Sequence, residues 1–195
     1  MSEVSLFDAK GNRKYVTPEE RQRFYTATGE VSKEWRMFGL MFYYTGCRIT
    51  EALNLKVKDI DFSSSAVTLN SLKQRRDDVY RQVPLPDSFL RSLDDVFDLR
   101  MMQKRSKSRN SFIWGYSRKH GYTIIKDIMR IAKIEGIQAT PKGLRHGYAI
   151  ACLDKGIALN MVQKWMGHKH IQTTAIYANA TGKEERKIAA KLWES

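Results

Sequence analysis

The stretch from Ser32 to Gly46 has too few polar positions to lie on a surface. Trp35, Phe38, Leu40, Met41, Phe42 and Tyr44 point round most of a helix's circumference. A surface helix carries one apolar stripe, whereas a helix apolar on nearly every side has to be surrounded. The chain must therefore wrap other elements round this one. Ser32 is placed to cap its first turn and Gly46 to end it. A chain of 195 residues, 42% apolar and 28% charged, has the length and composition for one domain with a substantial core.

The wrapping elements can be read in order. Thr17-Pro18-Glu19-Glu20 sets Thr at N-cap, Pro at N1 and Glu at N3, which predicts a helix to about Ala27 that stops at Gly29. Residues 1–15 before it read as a mobile or lightly docked N-terminal arm, and 16–195 as one domain. Val57 to Phe62, Ala66 to Leu69 and Val79 to Leu85 carry strand patterns, with Ser63-Ser64-Ser65 as a turn. The charged run SLKQRRDD forms a hairpin tip between the last two. Asp87 or Ser88 then caps a helix bearing Phe89, Leu90, Leu93, Val96, Phe97 and Leu99. Gln103 to Ser111 reads as a basic linker, Phe112-Ile113-Trp114 as a return to the core, and SRKHG as a turn that leaves His120 on the surface. Thr123 opens a helix that ends near Gly136. Thr140-Pro141 repeats the cap and opens another that ends at Gly156. Asn160 caps a short helix, Thr173 or Thr174 starts a further turn, and residues 180–195 form an amphipathic tail helix with Ile188, Leu192 and Trp193. The expected class is α+β, mostly α-helical with a small antiparallel β-sheet.

Charge narrows the partners. Thirty-four Lys and Arg against twenty-one Asp and Glu leave +13, an excess that attracts a polyanion, nucleic acid first. No apolar run approaches the roughly 20 residues of a membrane span, and the N-terminus has no signal-peptide core. Cys47 and Cys152 lie in separate apolar contexts and are expected as buried free thiols in a reducing cytosol. No CxxC, HExxH or acidic cluster calls for a metal.

The chemistry is densest between Pro141 and Tyr177. Lys142 and Arg145 lie three apart on one predicted helix, Gly167-His168 follows a second, and Tyr177 comes nine residues later. The block TGCRITEALNL adds Arg48 just past a helix-ending glycine, with Glu51 three residues on. Taken singly these are bland: Arg48 and Glu51 as a surface ion pair, Arg75 and Arg76 as a solvated tip, a lone Tyr as core or surface. Tyr148 is expected in the core. His146, about 100° round the helix from Arg145, is expected to support the helix rather than touch a substrate.

Together and in this order the blocks resemble the tyrosine recombinase, or phage integrase, family. Its catalytic domain carries a TGxRxxE block, a hairpin lysine, an HxxR helix, a GH pair and a tyrosine nucleophile. Arg48 and Glu51 match the first, Lys73 the second, Arg145 the third, His168 the fourth and Tyr177 the last. Lys142 stands where the family has the first histidine of HxxR.

The resemblance implies a site-specific DNA recombinase or integrase that cleaves and rejoins strands through a 3′-phosphotyrosine. A phosphodiester needs its oxygens neutralised, a nucleophile supplied and the leaving oxygen protonated. Arg48 and Arg145 suit the first task, because a guanidinium grips two oxygens and stays charged. His168 adds a hydrogen bond, Tyr177 attacks phosphorus, Lys73 protonates the departing 5′-oxygen and Glu51 orients a cation. Lys142 takes the proton of the phenol only when neutral, and otherwise donates to the phosphate. No cofactor or metal is expected. The expected partners are double-stranded DNA and copies of the same chain, as a tetramer in the synaptic complex, in the cytoplasm. The chain reads either as an excised catalytic domain or as a naturally single-domain member. Two rivals are a type IB topoisomerase, which relaxes DNA without strand exchange, and a non-catalytic DNA-binding relative.

Overall fold

The computed structural model describes residues 5–70 and 80–178. The hairpin tip with Lys73 and the 180–195 tail lie outside the described residues. At the centre is α2 (Lys33–Thr45), with Met37, Phe38, Leu40, Met41 and Phe42 all buried. Around it pack α1 (Pro18–Ala27), α4 (Asp87–Phe97), α7 (Arg118–Ile131) and α8 (Pro141–Asp154). Phe38 meets Phe42, Trp114 and Tyr116 edge-on at 5.2, 5.3 and 5.4 Å, the geometry that aromatic quadrupoles favour.

The expected caps form. The Thr17 side chain accepts from Glu20 N while the Glu20 carboxylate accepts from Thr17 N, and Ser32 accepts from Trp35 N. Gly46 ends α2 with φ 57°, a left-handed conformation that favours glycine, and a Cβ there would fall 2.4 Å from the Tyr148 ring. The chain then turns through Arg48 into α3 (Ile49–Leu53).

The sheet is small and antiparallel, in the order β1 (Ile60–Asp61), β2 (Ala66–Asn70), β3 (Tyr80–Pro84). Val67 pairs with Val83 and Leu69 with Arg81. The strand expected over Val57 to Phe62 is shorter. Val57–Asp59 is a 3-10 turn, because the Asp59 carboxylate accepts from Lys56 N and Val57 N donates to Ser111 O. Those bonds take the backbone away from a ladder.

Four further expectations are corrected. The supposed linker over Gln103 to Ser111 is folded, within α5 (Leu99–Lys104) and α6 (Ser106–Arg109). It is tied down because the Gln103 amide donates to Val57 O and Ile60 O. SRKHG is the capped start of α7, with Ser117 accepting from His120 N, so His120 stands beside Trp35 and Tyr116 while remaining exposed. α9 (Leu159–Met166) starts after Ala158, with Asn160 already inside it. α4 follows Pro86, and Asp87 accepts from Ser65 Oγ instead of capping.

Residues 5–15 are docked rather than loose. Leu6 is buried beside α8, Phe7 bridges to Arg13, and Arg13 grips Glu20 with both terminal nitrogens. Cys47 and Cys152 are free and buried. No helix among the described residues is long and apolar enough to cross a membrane.

α8 borders two apolar clusters, the main one round α2 and a smaller one holding Leu6, Tyr148, Val162, Met166 and α10 (Gln172–Ala178). Its entry is tightly fitted. A Cβ on Gly143 would lie 1.9 Å from Gln138 O, which is backbone and cannot swing aside. Gly143→Ala is expected to destabilise the protein by about 1–3 kcal/mol in a urea melt, as overpacking does. Gly29→Ala, with nothing within 4 Å, is expected to be near neutral in the same melt.

Candidate active site

Arg145 is the hub. It lies one turn into α8 and is 6% exposed. Its NH1 donates to Gly46 O at 2.7 Å, at the end of α2, and its NH2 to Met166 O at 2.5 Å, at the end of α9. NH2 also lies 3.2 Å from His168 Nε2. An arginine only donates, so His168 Nε2 accepts and the ring proton sits on Nδ1, donating to Thr174 Oγ1 at 2.9 Å. Gly167 ends α9 in the left-handed region, and the Gln163 amide donates to His168 O. The Tyr177 ring stacks beside His168, with centroids 6.2 Å apart at 14°.

A second knot centres on Glu51, almost fully buried. Its carboxylate accepts from Arg48 N at 2.8 Å and from Arg48 NH1 at 2.6 Å. From the other side Arg81 donates NH1 at 3.1 Å and NH2 at 2.7 Å, while its Nε donates to Trp165 O at 2.7 Å. The ion pair read between Arg48 and Glu51 is therefore half of a triad in which Glu51 and Arg81 are buried and Arg48 is part-exposed. Arg81 was not singled out from the sequence. The signal was there: alternation along β3 puts it on the inward side with Val83, an anomalous place for a cation.

The fold thus brings together Arg48, Glu51, Arg145, His168 and Tyr177. Lys142 shares none of their hydrogen bonds among the described residues, although its charge is felt at His146. Lys142 is exposed in the first turn of α8 and lines a separate cavity of about 370 Å3 with Lys14, Ile49, Arg118 and Tyr122. Sequence spacing set Lys142 and Arg145 on one face, but only the deeper residue passes beneath the ends of α2 and α9. His146 makes a contact that its position in the sequence did not suggest. Expected only to support its helix, it faces α10, and its Nδ1 lies 2.8 Å from Tyr177 Oη.

Burial and charge set the protonation states. Burial pushes the Tyr177 phenol up to about 12, against the pull of Arg145 and Arg48. Burial, then Arg145, Arg48 and Arg81, bring His168 down to about 3. Burial, then Lys142, Arg145 and Lys14, bring His146 down to about 4. Both imidazoles are therefore neutral near pH 7. Arg145 falls to about 10 through burial and the charge of Arg48, and stays charged. Burial opposes ionisation of Glu51, but the Arg81 hydrogen bonds and the neighbouring arginines outweigh it and hold the carboxyl below its usual value.

Three guanidinium groups, one carboxylate, two neutral imidazoles and a phenol make a site for an anion, with a nucleophile beside it. The model of the phage integrase family matches residues 14–184.

The chain belongs to this family.

It is 30% identical over 185 residues to the tyrosine recombinase XerA of Pyrococcus furiosus, covering 91% of this chain and 61% of that protein. With the tyrosine recombinase XerA of Thermococcus onnurineus the identity is 28% over 189 residues, covering 91% and 62%. The chain spans about three fifths of the length of these relatives. The fold is similar to the crystal structure of XerA recombinase, with a TM-score of 0.73 at 24% identity, over 91% of this chain and 64% of that one. It is also similar to the XerH site-specific recombinase bound to palindromic difH substrate in a post-cleavage complex, with a TM-score of 0.74 at 22% identity, over 100% and 58%. The mostly helical domain with one small antiparallel sheet is thus the fold of this family's catalytic domains.

The two histidines predict a pH dependence. Unfolded, each titrates near about 6.5; folded, near 4 and 3. Between those values only the unfolded chain takes up the proton, so stability is complete above the unfolded pKa and is lost as pH falls. Glu51 acts in the same direction, but only below the ordinary carboxylate range. The melting temperature is expected to drop from about pH 7 to about pH 4.5. It is expected to drop less in His146→Gln, which has no imidazole to protonate.

Proposed function

We propose that the chain is the catalytic domain of a site-specific DNA recombinase or integrase that works through a 3′-phosphotyrosine. The observation that carries this is the Tyr177 phenol packed against His168, which in turn is bonded to the buried guanidinium of Arg145. The relatives' names, tyrosine recombinase, support it.

In this reading Arg48, the outermost of the three arginines with 28% of its side chain exposed, meets the phosphate first. Arg145 holds the non-bridging oxygens as charge builds on them, and His168 adds its hydrogen bond once its ring proton moves to Nε2 and turns from Arg145 to the phosphate. Each well-placed donor contributes about 3 kcal/mol to the transition state. Glu51 and Arg81 keep Arg48 aimed. Tyr177 is 1% exposed, so its hydroxyl meets phosphorus only after the groups that cover it open. Lys73 is the proposed acid for the departing 5′-oxygen, and Lys142 a phosphate contact at the rim. Phosphodiester energy is kept in the tyrosyl bond, so rejoining requires no nucleotide. Double-stranded DNA is the partner, and strand exchange takes place in a homo-oligomer, a tetramer in the synaptic complex.

Two measurements test this. With nicked duplexes carrying candidate sites, the parent is expected to form a protein–DNA adduct that survives a denaturing gel. Tyr177→Phe, which loses one oxygen and little volume, is expected to form none, while Tyr148→Phe retains it. An adduct with Tyr177→Phe overturns the assignment. Duplex affinity is also expected to fall at least about tenfold between about 50 and 200 mM salt, through counterion release driven by the +13 charge. A flat response argues against a phosphate-gripping surface.

A further inference from the structure

We propose that His146 accepts the phenol proton of Tyr177 as the tyrosine attacks. This deepens the reading above and rests on it. The argument is one of reach. A proton acceptor must lie within about 2.6–3.2 Å of the proton's oxygen. His146 Nδ1 lies 2.8 Å from Tyr177 Oη. His168 is closely stacked on the same ring, but both its nitrogens are engaged, Nε2 by Arg145 and Nδ1 by Thr174. Lys142 is exposed in the first turn of α8 and lines another cavity.

The tautomer follows from the same geometry. The phenol proton is satisfied when Oη donates to Nδ1, which puts the ring proton of His146 on Nε2. Nε2 is buried with no partner among the described residues. The opposite tautomer would turn Nδ1–H toward Oη and leave the phenol proton without that acceptor. An unpaired Nε2 is costly to bury, and an imidazole kept there for packing alone has no need of the ring nitrogens.

The groups facing His146 explain when it acts. Lys142 and Arg145 come from its own helix, Lys14 from the N-terminal segment and Tyr177 from α10, with His168 also within electrostatic range. In the free protein burial, then the three cations, keep the ring neutral, and burial keeps the phenol protonated. A phosphodiester placed among the arginines brings negative charge that offsets them, which makes imidazolium cheaper to form. The step then balances. The Tyr177 O–H bond breaks, its electron pair stays on Oη, and the proton goes to the Nδ1 lone pair as the Oη–P bond forms. The bond from phosphorus to the 5′-oxygen breaks, and that oxygen takes its electron pair and a proton from the acid, Lys73 in the reading above. Rejoining runs backward, with His146 returning the proton to Oη. No oxidant, reductant or metal enters the balance.

Two experiments on the full chain test this. The first uses no DNA. Long-range 15N NMR of the free protein at neutral pH is expected to show His146 as the Nε2–H tautomer, with an Nδ1 resonance that moves in Tyr177→Phe. An Nδ1–H tautomer, or no change in Tyr177→Phe, overturns the proposal whatever the reaction turns out to be. The second measures adduct formation on the nicked duplex that the parent cleaves. His146→Gln can hold the phenol but cannot take its proton. It is expected to slow adduct formation by at least about 100-fold, to lose the acid limb of the pH–rate profile, and to keep parental duplex affinity. In His146→Ala, added imidazole is expected to restore part of the rate. Parental rate and pH profile in His146→Gln would show that the ring only positions Tyr177, and would overturn the proposal. Failure of the recombinase reading looks different: Tyr177→Phe would still form the adduct.

Discussion

The buried guanidinium of Arg145 is the interaction on which the rest of the site depends. A charge taken out of water is costly unless its donors are met. Here they are met by the carbonyls of Gly46 and Met166, at the ends of α2 and α9. A helix C-terminus carries partial negative charge, so two helices aim their favourable ends at one cation. The arrangement works in both directions. The helices make a buried arginine tolerable, and the arginine holds the ends of two separate helices at hydrogen-bond distance. Residues just past those ends, Arg48 after Gly46 and His168 after Gly167, are thereby carried to the same place.

A second consequence is electrostatic. Glu51 is the carboxylate that hydrogen-bonds Arg48 and Arg81. Together with Arg145 that makes three guanidinium groups against one carboxylate, and the surplus is positive. Burial first, and nearby positive charge second, keep both imidazoles uncharged. The free protein therefore holds a preorganised positive site next to a phenol that is kept protonated. An incoming anion would lower the energy of the arginines and change what the neighbouring histidine can do. In such a site the ligand's own charge is part of the acid–base chemistry.

Much of this was legible in the chain. The all-round apolar pattern of residues 33–45 made α2 central, and it is. Thr17 and Thr140, each followed by proline, marked two helix starts that hold in detail. Less legible were segments whose backbone bonds are made with distant partners. Val57 lost its strand to Ser111 and Asp59, and the polar run after Gln103 became helical because its amide met carbonyls some forty residues earlier. Composition suggested a solvated linker, since nothing in a local window reports where an amide will find its acceptor.

The site divides the same way. The order and spacing of the motifs, through the family resemblance they carry, marked Arg48, Glu51, Arg145, His168 and Tyr177, and helix ends and caps are local enough for the motifs to be placed at them. Only the tertiary structure decided that Lys142 stays at the rim, that Arg81 joins Glu51, and that His146 faces Tyr177. Those three outcomes depend on which helix crosses which and at what depth. A residue three positions from its neighbour can share a face and still differ completely in burial once another helix lies across one turn and not the next.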